Sequence, residues 1–219
     1  MKKEIQKPID FKKRNARFAK LSNAQKRVAI AKDVLRQIQN EKFIPQAGKF
    51  VSVPDYDDFF VFQNKNASLQ KMLPQLGPCE VCALGGLFLS CTNLNNKARV
   101  SAIMENVRPS QNFDNTGEAY QMNDMFLNGK KFSNDLNRFF SNYQLMLIEI
   151  AFERGFGAVG RVNFSCNTYV NYLGQIKSIT PEIKAAAEFS EKTDTDQSSE
   201  YRMITIMKNI IRNKGRFRP

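Results

Sequence analysis

The segment GPCEVCALGGLFLSC, residues 77–91, constrains this chain most, because it puts three cysteines and a glycine pair into the most apolar stretch of the sequence. Read as one helix over 79–92, it sets Cys79, Cys82, Ala83, Gly86 and Ser90 on one face, with Val81, Leu84, Leu87, Phe88 and Cys91 largely opposite. A helix that is apolar nearly all round has to be buried, and a face of small residues admits a close neighbour. The segment is therefore expected to form the central helix of the fold. Its apolar run, Val81 to Leu89, is far short of the ~20 residues that span a bilayer, so no membrane contact is expected.

Helical signals dominate elsewhere. Ser22-Asn23-Ala24-Gln25 has the S-x-x-Q form of a capping box and opens a helix over 24–39, in which Ala24, Val28, Ala31, Leu35 and Ile38 share a face. The stretches 49–53 and 58–63 read as a small β-hairpin across Pro54 and an acidic turn, and a short helix over 67–73 stops at Pro74. Residues 93–131 read mainly as loop, with one short element at 100–107. A long helix is predicted from Ser133 to Arg154 with Gly155 beyond it, then one over 181–189 capped by Thr180, a polar loop at 190–199, and a last helix over 200–212 that buries Met203, Ile206, Met207, Ile210 and Ile211. The fold class is thus mainly α: a single helical domain over 21–219, preceded by a basic N-terminal arm over 1–20.

Absences narrow the chemistry. The chain has no histidine, which removes Ser-His-Asp and Cys-His nucleophiles and every histidine-containing zinc motif. It also has no Walker-type phosphate loop. On one helix Cys79 and Cys91 would lie about 18 Å apart, too far to share a zinc ion, and no second C-x-x-C joins Cys79 and Cys82. A redox dithiol would need the strand-then-helix surroundings of a thioredoxin-like domain, and no strand is read directly before Cys79. Gly155–Gly160 matches G-x-G-x-x-G but follows a helix, and the calcium-like loop from Asp194 carries Ser199 where glycine belongs. No metal and no cofactor are expected.

The charge is +12, and it is unevenly placed. Twelve Lys/Arg face three acids from Met1 to Arg36, and six face none from Arg202 to Pro219, so the ends carry +9 and +6 and the body between them −3. Basic ends on an acidic body point to a polyanion, either nucleic acid or an acidic protein surface. The candidate phosphate contacts are Lys12, Lys13, Arg14, Arg17, Lys20, Lys26 and Arg27 at the front, and Arg212, Lys214, Arg216 and Arg218 at the back. No apolar block follows the basic N-terminus, so a cytoplasmic protein with reduced thiols is expected.

The blocks CEVCALGGLF (79–88) and QLMLIEIAFE (144–153), with KRVAIAKDVL (26–35) and the closing IMKNIIRNKGRFRP, resemble hypothetical proteins of tailed bacteriophages. The resemblance implies a host cytoplasm or a virion as the setting, and it attaches no activity, cofactor or catalytic residue. The leading expectation is a non-enzymatic accessory protein that binds nucleic acid or an acidic host factor. The second is a virion component whose basic arms dock on neighbouring subunits or packaged DNA. The third is an enzyme using carboxylate or Cys79 chemistry.

Overall fold

The computed structural model describes residues 10–48, 50–52, 67–95, 136–153, 162–163, 168–170, 176–192 and 198–219. Seven helices are present among them: α1 Phe11–Ala19, α2 Asn23–Gln39, α3 Leu69–Met72, α4 Ala83–Asn95, α5 Asn142–Phe152, α6 Pro181–Lys192 and α7 Ser199–Arg212. Six short strands accompany them: β1 Phe43–Pro45, β2 Val51–Ser52, β3 Cys79–Val81, β4 Val162–Asn163, β5 Thr168–Val170 and β6 Ile176–Ser178. The fold is mainly α with a small β element. The second hairpin strand expected at 58–63, the element at 100–107, the glycine motif at 155–160 and most of the calcium-like loop lie outside the described residues.

The central helix is α4, and every residue from Ala83 to Asn93 is buried. It packs against α1, α2, α3 and α5, while α7 packs on α2 and α5. The glycine pair explains how closely α4 is approached: a Cβ on Gly85 would stand 1.6 Å from the Phe50 carbonyl oxygen, so backbone occupies the place of a side chain. Gly86 instead faces Met203, Val34 and Val81 at ordinary contact distances.

The helix expected from residue 79 starts four residues later. Residues 79–81 are a strand, and the helix begins at Ala83, with the Gly86 N–H donating to the Cys82 carbonyl at 2.9 Å. The reason is tertiary. The strand β3 lies between β1, which it pairs in parallel (Phe43 with Cys79, Pro45 with Val81), and β2, which it pairs antiparallel (Val51 with Val81). The expected strand near 51 thus finds its partner in β3. Proline is tolerated at position 45 because β1 is an edge strand. A second sheet, antiparallel in the order β4-β5-β6, was not anticipated.

In α2 the capping box forms in full: Ser22 Oγ accepts from the Gln25 N–H, and Gln25 Oε1 accepts from the Ser22 N–H. Its buried stripe is Ile30, Ala31, Val34 and Ile38, rotated from the expected face because α4 and α7 cover two sides of the helix. The long helix predicted from Ser133 is broken. A turn at 136–140 precedes α5, whose N-cap is Ser141. The Phe139 carbonyl at the break accepts from Arg27 Nη1 at 2.7 Å, a bond that a continuing helix would have taken for itself. Towards the N-terminus, α1 is fastened to the body by Phe18, which is buried, and by an amide pair between Asn15 and the fully buried Gln70.

Candidate polyanion-binding face and the adjoining cavity

Helix α7 ends in a Schellman turn: Lys214 adopts a left-handed φ of 53°, Gly215 donates to the Ile210 carbonyl at 2.8 Å, and Lys214 donates to Ile211 at 3.2 Å. Gly215 has φ 90°, and a Cβ there would lie 2.6 Å from the Ala24 carbonyl oxygen, so the turn is seated directly on the first turn of α2. Two side-chain amides then hold the last residues. Asn209 accepts from the Arg218 N–H at 2.9 Å and donates to the Arg218 carbonyl at 2.6 Å. Gln144 accepts from the Phe217 N–H at 2.7 Å and donates to the Phe217 carbonyl at 3.3 Å. Phe217 is buried edge-on to Phe189. The basic tail is therefore a docked segment with its cations turned outward: Lys214, Arg216 and Arg218 are exposed.

This docking brings the two basic ends together. Arg27 Nε donates to the Gly215 carbonyl at 2.6 Å, across 188 positions of sequence. Burial lowers the pKa of Arg27, and the charge of nearby Arg216 lowers it further. Lys26 Nζ stands 5.9 Å from the Phe18 ring centre and 5.6 Å from that of Phe139, within reach of cation–π attraction. Arg17 and Lys20 flank Phe18 in sequence and are exposed. The end of α1, the start of α2 and the tail thus meet in one cationic region. Lys12 and Lys13 are exposed on the first turn of α1, and Arg212 is exposed on the last turn of α7, just before the Lys214 turn.

Two of the candidate residues are turned away from the open face. Arg27 spends its guanidinium on the carbonyls of Gly215 and Phe139. Arg14 is half-buried over the Phe11 ring and lines a cavity of about 660 Å³ beside α1 and α2. The charged groups on that wall are Arg14, Arg36 and Lys42. Behind them the buried Asp33 is ion-paired to Arg36 and accepts from Asn93 Nδ2 at 2.9 Å. Sequence reasoning missed Arg36 and Lys42 as partners of Arg14. Lys42 reaches the cavity only because β1 pairs with β3, where the Cys79 N–H donates to the Lys42 carbonyl. The signal at hand was Asp33, the lone acid of α2, one turn before Arg36, and a lone acid in a basic helix does not announce its burial.

Cys79 lines the same cavity, yet it is 2% exposed, and burial pushes its thiol up to about 11 despite the opposing pull of Lys42. Cys82 is at the head of α4, fully enclosed, and the N–H groups of Gly85 and Leu84 oppose the effect of that burial on its thiol. Burial, aided by the charges of Glu153 and Glu149, outweighs them and raises the pKa well above the ordinary value. Neither group is a ready thiolate nucleophile at neutral pH. Among the described residues no three cysteine or carboxylate groups stand close enough to hold a metal ion, and no helix is long and apolar enough to cross a membrane. No protein-family model matches the chain, and neither a curated protein nor a solved structure is significantly similar to it.

Proposed function

We propose that this protein binds nucleic acid irrespective of sequence, through the cationic region where the end of α1, the first turn of α2 and the C-terminal tail converge. The observation that carries the reading is the Arg27–Gly215 bond, which seats the turn between Lys214 and Arg216 on the α2 residue next to Lys26. A docked tail presents these cations at fixed spacing, so phosphates meet a preformed partner and binding releases condensed counterions. The acids of the basic ends offer little opposition: the end from Arg202 has none, and of the three at the front Asp33 is buried, Asp10 accepts from the Lys13 N–H at the head of α1, and Glu4 lies outside the described residues. The phosphate contacts in this reading are Arg17, Lys20, Lys26, Lys214, Arg216 and Arg218, with Arg27 behind them holding the tail. The resemblance to tailed-phage proteins fits such a role in an infected bacterium and attaches no activity of its own.

The test is fluorescence anisotropy with 5′-hydroxyl DNA and RNA of about twenty nucleotides at about 50 mM salt, where non-specific affinity is strongest. Saturable binding to both is expected. Binding to neither overturns the reading, and binding to polyglutamate alone replaces it with an acidic protein partner.

A further inference from the structure

The cavity beside α1 is a second place where cations gather, and it differs in kind from the outer face. Its charged wall consists of Arg14, Arg36 and Lys42, against the single carboxylate of Asp33. That carboxylate is already engaged by Arg36 and Asn93, with Gln37 at 3.5 Å. Among the described residues Arg14 Nε and Nη2 have no hydrogen-bond acceptor, and they are closed off from solvent, so they do not form part of the cavity's open surface. A guanidinium edge screened from water without an acceptor is costly, and a turn of the side chain toward the opening would let an oxyanion satisfy it with no existing bond displaced. Lys42 Nζ makes one long bond, 3.3 Å to the Leu76 carbonyl, which leaves donors free to turn inward.

We propose that this cavity binds a phosphate monoester, with the phosphate held by Arg14, Arg36 and Lys42. The charge fits, since three cations and one carboxylate leave +2 and a monoester carries about −1.5 to −2 near neutral pH. Geometry favours arginine here, because its planar fork matches two phosphate oxygens at once. The volume of about 660 Å³ is far more than a bare phosphate ion fills, and it lies within the about 300–1,000 Å³ of small-molecule sites. Phe43, Leu73 and Pro74 supply an apolar wall for the ester's organic part, and the Gln37 and Asn40 amides stand at its edge. The same phosphate chemistry comes from a free nucleotide or from the 5′-phosphorylated end of a strand.

Calorimetry at constant ionic strength separates these sources, with adenosine 5′-monophosphate, inorganic phosphate, and one short oligonucleotide in 5′-phosphate and 5′-hydroxyl forms as probes. Saturable binding of the nucleotide is expected if the source is a free ester, and a preference for the 5′-phosphorylated strand if it is a strand end. Arg14→Gln and Lys42→Gln should each raise the Kd about ten- to a hundredfold, the range of a lost charged hydrogen bond, while Lys184→Gln on α6 should not. Lys42→Gln removes one long bond only, so it keeps the test valid if Arg14→Gln unfolds. The proposal is overturned if neither phosphorylated probe binds above its control, if inorganic phosphate binds as tightly as the monoester, or if both variants bind unchanged. Binding of the 5′-hydroxyl strand reports on the outer face alone, so the two readings fail separately.

Discussion

Arg27 and Gly215 are joined by a 2.6 Å hydrogen bond from a guanidinium to a backbone carbonyl, and the same guanidinium reaches the Phe139 carbonyl at 2.7 Å. One side chain thus ties together α2, the turn before α5 and the C-terminal tail. Arg27→Lys keeps the charge but cannot bridge two carbonyls in the plane of a fork. It should destabilise the fold by about 2 kcal/mol in urea unfolding, from one or two charged hydrogen bonds lost with their carbonyls left buried. A change within a few tenths of a kcal/mol would show that the bridge is incidental.

The glycines of α4 predict opposite outcomes at adjacent positions. Gly85→Ala drives a methyl group onto the Phe50 carbonyl, where a Cβ would stand at 1.6 Å, and β2 has to move. A loss of about 3 kcal/mol is expected, at the upper end for overpacking. Gly86→Ala meets Met203, Val34 and Val81 at 3.5–3.7 Å and gains helix propensity, so it should lie within about 1 kcal/mol of the parent, on the stabilising side. Thermal denaturation of both variants checks the contrast, and equal effects would contradict it.

The tail clamp is open to hydrogen exchange. The Phe217 and Arg218 N–H groups are held by Gln144 and Asn209, so both should be protected in the native protein. Asn209→Ala should lower protection at Arg218 and speed tryptic cleavage after Arg216, at a cost of about 1–2 kcal/mol. Rapid exchange at both amides in the parent would show that the tail is not docked.

Cys79 gives an alkaline signature. Folded, the thiol keeps its proton up to about 11, whereas its ordinary value is 9.0. Between these values the unfolded chain binds fewer protons, so stability falls as pH rises through that window and is unaffected below it. The loss should approach about 2–3 kcal/mol by pH 11 and should shrink in Cys79→Ala. Parallel stability curves for the two proteins would refute the assignment, as would rapid reaction of the native thiol with a disulfide reagent at neutral pH.

What the sequence made legible was local. The S-x-x-Q box at Ser22 is written in four adjacent residues, and it forms as read. The same S-x-x-Q pattern stands at Ser141, where it marks the break in the long helix, yet the strong apolar run across 136–152 concealed it. Gln144 does not complete a box there, because its amide is engaged by Phe217. Cys79–Val81 has no intrinsic strand signal strong enough to compete with the apolar helix after it, and only pairing with β1 and β2 makes it a strand. The basic ends were visible as composition. Their meeting was not, since it depends on the Schellman turn at Lys214 and on contacts between residues far apart in the chain.

The most direct test of the convergent face is the salt dependence of duplex DNA binding in single-charge variants, one from each end of the chain. In the parent, log K should fall linearly with log salt between about 50 and 200 mM. Lys20→Gln and Arg216→Gln should each make that slope shallower by about 0.9, the share of one phosphate contact, and together by about twice that. A slope unchanged by either variant, or binding indifferent to salt, would contradict the account.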